Sequence, residues 1–198
     1  MITRLNRKES SQKFRKRSIN EKCVSVLILI TLAALSAPAQ ETPKVELFGG
    51  YSYLHLDGAL SQKIGFRFPT GGSANGWNAS ISGNVNRWLG LVADFTGHYG
   101  VYPLGFNRHS LLFGLKLSLR HERFTPFAQV LFGAAHDDLG YKSDTAFAFT
   151  AGGGVDLRLS KRLAARLIQV EYARATSFAL AENNVRISAG LVLRFGKR

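Results

Sequence analysis

Two groups of side chains in this 198-residue sequence have types and spacing that could do chemistry: five histidines, and a set of charges on alternating positions. The histidines are His55, His98, His109, His121 and His136. His109 and Ser110 are neighbours, so in an extended segment their side chains point to opposite faces and cannot pair as base and nucleophile. Asp94 and His98 share a face, but four steps of ~3.3 Å hold them about 13 Å apart. No serine, histidine and acid come together by spacing, so an enzyme is not expected and no catalytic residue is assigned. Asp137, Asp138 and Asp144 fall in a polar segment whose spacing does not fit the twelve-residue calcium loop, which favours a solvated tip over a cation site. The sequence carries no phosphate loop, zinc spacing or redox cysteine pair, and no cofactor or metal is expected.

The charges point elsewhere. Asp94, Lys116, Asp156, Arg158, Arg166, Arg186 and Arg194 occupy the polar positions of segments whose intervening positions are apolar. Glu46 and Arg120 join them near one end. Charges gathered on a face that turns away from water must pair with one another, because isolation in low dielectric is costly.

The elements that would carry them are strands. Asn184 to Phe195 alternates Val185, Ile187, Ala189, Leu191, Leu193 and Phe195 with Asn184, Arg186, Ser188, Gly190, Val192 and Arg194. At about 12 residues it is longer than an average soluble strand and close to the ~9 to 11 tilted residues that cross a bilayer. Seven further runs repeat the pattern: 44–56, 77–86, 89–101, 109–120, 124–135, 145–159 and 163–174. In the last of these the alternation slips near Ile168-Gln169, which predicts a bulge. Short connections at Arg87, 121–123 and 161–162 alternate with longer loops expected at 57–75, 102–107, 136–144 and 175–183. The fold class expected is all-β, a closed eight-stranded antiparallel up-and-down transmembrane barrel, with short turns on one rim and long loops on the other.

The overall charge of +13 is misleading until the N-terminus is set aside. Residues 1 to 22 hold eight basic and two acidic residues, and Cys23 to Leu35 is an apolar run followed by Ala37-Pro38-Ala39. This is the layout of a secretory signal peptide. The expected domains are a signal peptide over 1–39 and a barrel over 40–198, with retention of the leader as an anchor the second reading. The part after the leader has 18 basic and 11 acidic residues and no cysteine. Its basic residues are dispersed rather than interleaved with aromatics in one run, so nucleic acid is not an expected partner.

Alternation alone does not distinguish a membrane barrel from a soluble lipocalin-like ligand carrier. The polar positions decide: they hold mainly Asn, Ser, Thr and Gly with charges of both signs, unlike a water-facing surface, where about 25 to 35% of residues are charged. The apolar positions carry Leu, Phe, Val and Ile, too bulky for the interior of eight strands. Tyr51, Tyr53, Trp77, Trp88, Tyr99, Tyr102, Tyr141 and Tyr172 lie near strand ends, as interfacial aromatics do. Outer-membrane lipid is the expected surrounding and the bacterial outer membrane the expected location.

Ser188, Gly190, Leu193 and Phe195 fit the polar-x-Gly-x-x-apolar-x-aromatic ending of bacterial outer-membrane barrels, and that resemblance implies recognition by the barrel assembly machinery. The segment after the leader resembles the OmpA-like eight-stranded outer-membrane β-barrel family over essentially its whole length. The likeness rests on 45–52, on Gly152-Gly153-Gly154-Val155-Asp156, on Arg166, on Gln169-Val170-Glu171-Tyr172, and on 183–186 through 194–196. It implies that Asp156 and Arg166 lie inside the barrel in a charge network. The sequence stops at Arg198, so the peptidoglycan-binding domain of larger members, and cell-wall tethering with it, is not implied. The role expected is structural or surface interaction, with an unknown extracellular ligand if any. A narrow porin-like channel is the alternative, and the lipocalin-like carrier the second.

Overall fold

A strand that crosses lipid can satisfy its backbone only by pairing sideways, and here all eight strands do so in a ring. The computed structural model describes residues 42–55, 72–100, 106–138, 140, 143–177 and 180–196. The expected leader, Tyr102, Tyr141 and most of the 57–75 segment lie outside these residues. The strands are β1 (Val45–His55), β2 (Ser73–Asn84), β3 (Leu89–Gly100), β4 (Phe106–Ser118), β5 (Phe124–Asp138), β6 (Ser143–Arg158), β7 (Leu163–Ser177) and β8 (Leu180–Phe195). Each pairs antiparallel with its neighbour in sequence, and β1 closes on β8 from Val45↔Phe195 to His55↔Val185.

Six strands run further at the loop end than the sequence predicts. β5 and β6 extend through Asp138 and from Ser143, where 136–144 reads as loop; β7 and β8 reach Ser177 and Leu180, where 175–183 does. Likewise β2 begins at Ser73 and β4 at Phe106, inside the expected 57–75 and 102–107 loops. Beyond the lipid the outward face of a strand also meets water, so polar residues can occupy it as well as the inward face while the backbone continues to pair.

The short turns at the other end are held by local side chains. Asn86 Oδ1 accepts the N–H groups of Trp88 and Leu89 at 2.9 and 2.7 Å, and Ser160 Oγ those of Arg162 and Leu163 at 3.3 and 3.1 Å. Asn and Ser suit such positions because a short polar side chain can close a turn on its own backbone.

Large apolar residues look outward: Leu91, Phe113, Leu115, Leu117, Phe147, Leu191 and Leu193 are all exposed, Phe147 at 65%. Charged and amide residues look inward, with Asp156 and Gln169 at 0%. A water-soluble carrier would have this arrangement reversed, and an apolar belt this continuous is not left open to water. Tyr51, Trp77, Tyr99 and Tyr172 ring the loop end. Tyr51 donates to Asn75 Oδ1 at 2.5 Å, Tyr172 donates to Asn183, and Trp77 Nε1 donates to Tyr99 Oη at 3.4 Å. From Leu89 to Tyr99 along β3 is about 33 Å at ~3.3 Å per residue. At a tilt of ~40° that is about 25 Å of height, the apolar band of such barrels.

The bulge falls in β7, where the register with β8 shifts between Arg166 and Gln169. Leu167 and Ile168 are consecutive yet both exposed, at 48% and 46%. The extra residue changes the inward parity from Ala164 and Arg166 to Gln169 and Glu171.

At the closing seam Gly190 faces Gly50 across β8 and β1. A Cβ on Gly190 would stand 2.3 Å from the Gly49 carbonyl oxygen and 2.5 Å from Gly50 Cα, so only glycine allows this approach. Gly190→Val should destabilise the folded barrel by about 1–3 kcal/mol through overpacking. The check is the urea dependence of its heat-modifiable gel mobility; a midpoint equal to that of the parent would show that the seam tolerates a side chain.

Candidate functional site

The lumen is where the inward residues of all eight strands meet, and its centre is Arg186 of β8, 2% exposed. Its Nη1 donates to Asp94 Oδ1 of β3 at 2.9 Å and its Nε to Glu171 Oε2 of β7 at 2.7 Å. Both carboxylates have further donors. Asn78 Nδ2 donates to Asp94 Oδ2 at 2.8 Å; Gln129 and Gln169 donate to Glu171 at 2.8 and 2.7 Å. Arg166 continues the relay: its Nη1 donates to Gln169 Oε1 at 2.6 Å and its Nε to Asp156 Oδ1 at 2.8 Å. The rings of Phe48 and Phe127 flank the Arg166 guanidinium at 4.2 and 4.3 Å, an arrangement that a delocalised, weakly hydrated cation favours.

Towards the turn end, Glu46 of β1 receives Lys116 Nζ at 2.9 Å and Arg120 Nη1 at 3.0 Å, while Arg194 Nε lies 3.5 Å away. Towards the loop end, Arg108 Nε and Nη2 grip the two oxygens of Asp137 at 2.5 and 2.7 Å. Small apolar groups fill the space between the polar layers: Val92, Leu112, Leu131, Ala135, Ala148 and Ala175 form one cluster, and Phe48, Ala164 and Val192 another.

Of the residues singled out by sequence, Asp94, Lys116, Asp156, Arg166, Arg186 and Arg194 are buried in the lumen, and Arg158 is half-buried at the turn end. They divide into two groups: Asp94, Arg186, Arg166 and Asp156 belong to the central relay, and Lys116 and Arg194 to the Glu46 group. Sequence reading missed Glu171 and Gln169, which the β7 bulge turns inward. The slip at Ile168-Gln169 was the available signal. It also placed Asp137 on a solvated loop, whereas Asp137 is 1% exposed and bonded to Arg108. Strand β5 carries it inside, where the guanidinium neutralises it.

One pairing has the look of catalysis. Ser52 Oγ lies 2.9 Å from His98 Nε2, and Ser188 Oγ donates to Ser52 Oγ at 3.0 Å. These partners are 46 residues apart in the chain, so spacing could not reveal them. Yet Ser52 and His98 are 0% and 1% exposed, and His98 Nδ1 has no partner among the described residues. A nucleophile needs an oriented base; among the described residues no third group orients His98, and the hydrogen bonds tie β1, β3 and β8 together. The nearby cavity, about 30 Å³ beside His98, Arg108 and Arg186, has the volume of roughly one water.

Of the four residues matched to the terminal pattern, Ser188 faces inward on that hydrogen bond and Gly190 lies at the seam. Leu193 and Phe195 face outward, 45% and 46% exposed. Phe195 with Trp88 and Phe124 puts aromatic groups near the turn end.

A family model described as outer membrane protein beta-barrel domain matches residues 25–195. Among solved structures, Neisserial surface protein A (NspA) aligns with a TM-score of 0.57 at 13% identity, covering 79% of this chain and 100% of that one. Ail, the attachment invasion locus protein of Yersinia pestis, aligns at 0.48 and 13% identity over 76% of this chain and 99% of that one. The N-terminal β-barrel domain of Pseudomonas aeruginosa OprF gives 0.47 and 10% over 78% and 100%. The likeness to NspA is one of fold. No curated protein matches the chain.

Removing Arg186 leaves two carboxylates facing one another in the lumen. Arg186→Met is therefore expected to cost about 3–5 kcal/mol, whereas adding Asp94→Asn and Glu171→Gln should recover most of that loss. Tryptophan fluorescence during urea unfolding in lipid vesicles reads both. An Arg186→Met cost no greater than that of Arg123→Met on the exposed β4–β5 turn would show that the carboxylates do not depend on the guanidinium.

Proposed function

From the premise that this chain belongs to the outer membrane protein beta-barrel domain family and lies in the bacterial outer membrane, we propose that it serves there as a closed, non-enzymatic scaffold that offers its loop end to partners outside the cell. What supports this is the side-chain relay across the lumen. Asn78, Asp94, Arg186, Glu171, Gln169, Arg166 and Asp156 are joined by consecutive hydrogen bonds of 2.6 to 2.9 Å, contributed by strands β2, β3, β6, β7 and β8. An ion passing along the axis would have to break bonds between buried charged groups, the most expensive kind to leave unmade.

The short turns face the periplasm and the long connections the outside. Residues 1–39 direct export and are removed, leaving the barrel of 40–198. Ser188, Gly190, Leu193 and Phe195 present the last strand to the barrel assembly machinery, after which β8 pairs with β1. Contacts with an extracellular ligand fall to the connections β1–β2, β3–β4, β5–β6 and β7–β8 and to the outward side chains of the strand ends beside them.

Planar bilayers containing the purified protein should show no steady conductance, only rare small openings; a sustained, ohmic current would replace the scaffold with a pore. Orientation is checked separately with single cysteines on intact cells. Asp138→Cys at the loop end should react with a membrane-impermeant maleimide, and Lys161→Cys at the turn end should react only after the outer membrane is permeabilised. The reverse pattern would invert the topology.

A further inference from the structure

The buried charges of the lumen do not balance evenly along its length. Arg108 has Asp137, Arg166 has Asp156, and Arg186 has two carboxylates, Asp94 and Glu171. At the turn end the imbalance reverses, and Glu46 faces Lys116, Arg120 and Arg194. Lys116 and Arg120 hold its two oxygens by hydrogen bonds. Arg194 is left at 3.5 Å, a charge contact without a hydrogen bond.

Arg194 is only 6% exposed, and its Nε and Nη2 have no hydrogen-bond partner among the described residues; neither has Arg120 Nε. Buried donors without acceptors are rare because they have given up water for nothing in return. Both guanidiniums line a cleft of about 410 Å³ that opens at the turn end. Arg158, Lys161, Arg162 and Thr125 complete its polar wall, and among the described residues no acidic side chain lines it. Lys161 and Arg162 come from the β6–β7 turn, Arg120 from the residues after β4, and Arg194 from β8. The fold thus gathers five cations from four parts of the sequence around one opening.

We propose that this cleft is a binding site for a phosphate group carried by a small molecule or a lipid head. Guanidinium forks match tetrahedral oxyanions through paired N–H donors, and a dianion suits a cleft whose described charged groups are all cationic. The cleft is several times the size of one phosphate, which leaves space for the group that bears it. That this mouth opens to the periplasm rests on the orientation proposed above; the site itself does not.

The test uses the full barrel refolded in octyl glucoside, a detergent with no phosphate, at low ionic strength, where charge contacts are least screened. Isothermal titration with pyrophosphate should give saturable one-to-one binding. Arg194→Gln should weaken it about tenfold or more, the loss of a charge-assisted hydrogen bond. Arg162→Gln, on an exposed turn where folding is not at stake, should weaken it in the same direction, while Arg123→Gln on the neighbouring turn should not. A second arm places the protein in phosphatidylcholine nanodiscs with and without phosphatidylglycerol. Loss of pyrophosphate affinity on adding phosphatidylglycerol assigns the site to a lipid head, and unchanged affinity assigns it to a soluble phosphate. Absence of saturable binding, or equal affinity in the parent, Arg194→Gln and Arg162→Gln, overturns the proposal. Because this binding is measured on isolated protein, it stands or falls independently of conductance and of the maleimide pattern.

Discussion

Backbone hydrogen bonding without water is the constraint from which the rest of this structure follows. Inside a bilayer an unpaired N–H or C=O has no solvent to turn to, so a sheet can exist there only if its last strand returns to its first. The β1–β8 seam, paired over the whole of β1, makes that return. Closure in turn imposes curvature, and Gly50 and Gly190 meet where two strands come too close for a Cβ on either. Once the ring is shut, period-two geometry sends every second side chain to lipid and the others to an axis only a few side chains wide.

The narrow interior then sets its own terms. Polar groups cannot be hydrated in bulk there, so each must find a partner on another strand. Arg186 joins β8 to β3 and β7, Arg166 joins β7 to β6 while stacking between aromatic rings of β1 and β5, and Glu46 joins β1 to the end of β4. Because one missing partner leaves a buried charge alone, these contacts disfavour alternative arrangements of the interior more than they add to net stability. Apolar clusters around Leu112 and Val192 separate the polar layers. The proposed closed lumen and the proposed anion cleft thus follow from one uneven distribution of charge, with carboxylates in excess in the middle and cations in excess at the turn end.

The two ends differ because they meet different surroundings. At the turn end, Asn86 and Ser160 close connections on their own backbones, and the strands stop within a few residues of the apolar belt. At the loop end the strands continue, and phenol and indole groups bind neighbouring side chains where lipid gives way to water. Polar residues in those extensions lose the alternation that betrays a strand. For this reason Asp137 reads as loop in the sequence and is buried strand in the structure.

What the sequence determined by itself was everything that depends on neighbours along the chain: eight strands, which parity meets lipid, the turn positions and the parity slip in β7. Those are local properties, since a side chain's face follows from its position in a strand. Only the tertiary structure decided which interior groups meet. Asp94 and Arg186 are 92 residues apart, Ser52 and His98 are 46 apart, and Gln129 reaches Glu171 across 42. Such pairings depend on the tilt and stagger of closed strands, which are set by the ring as a whole and written in no single segment.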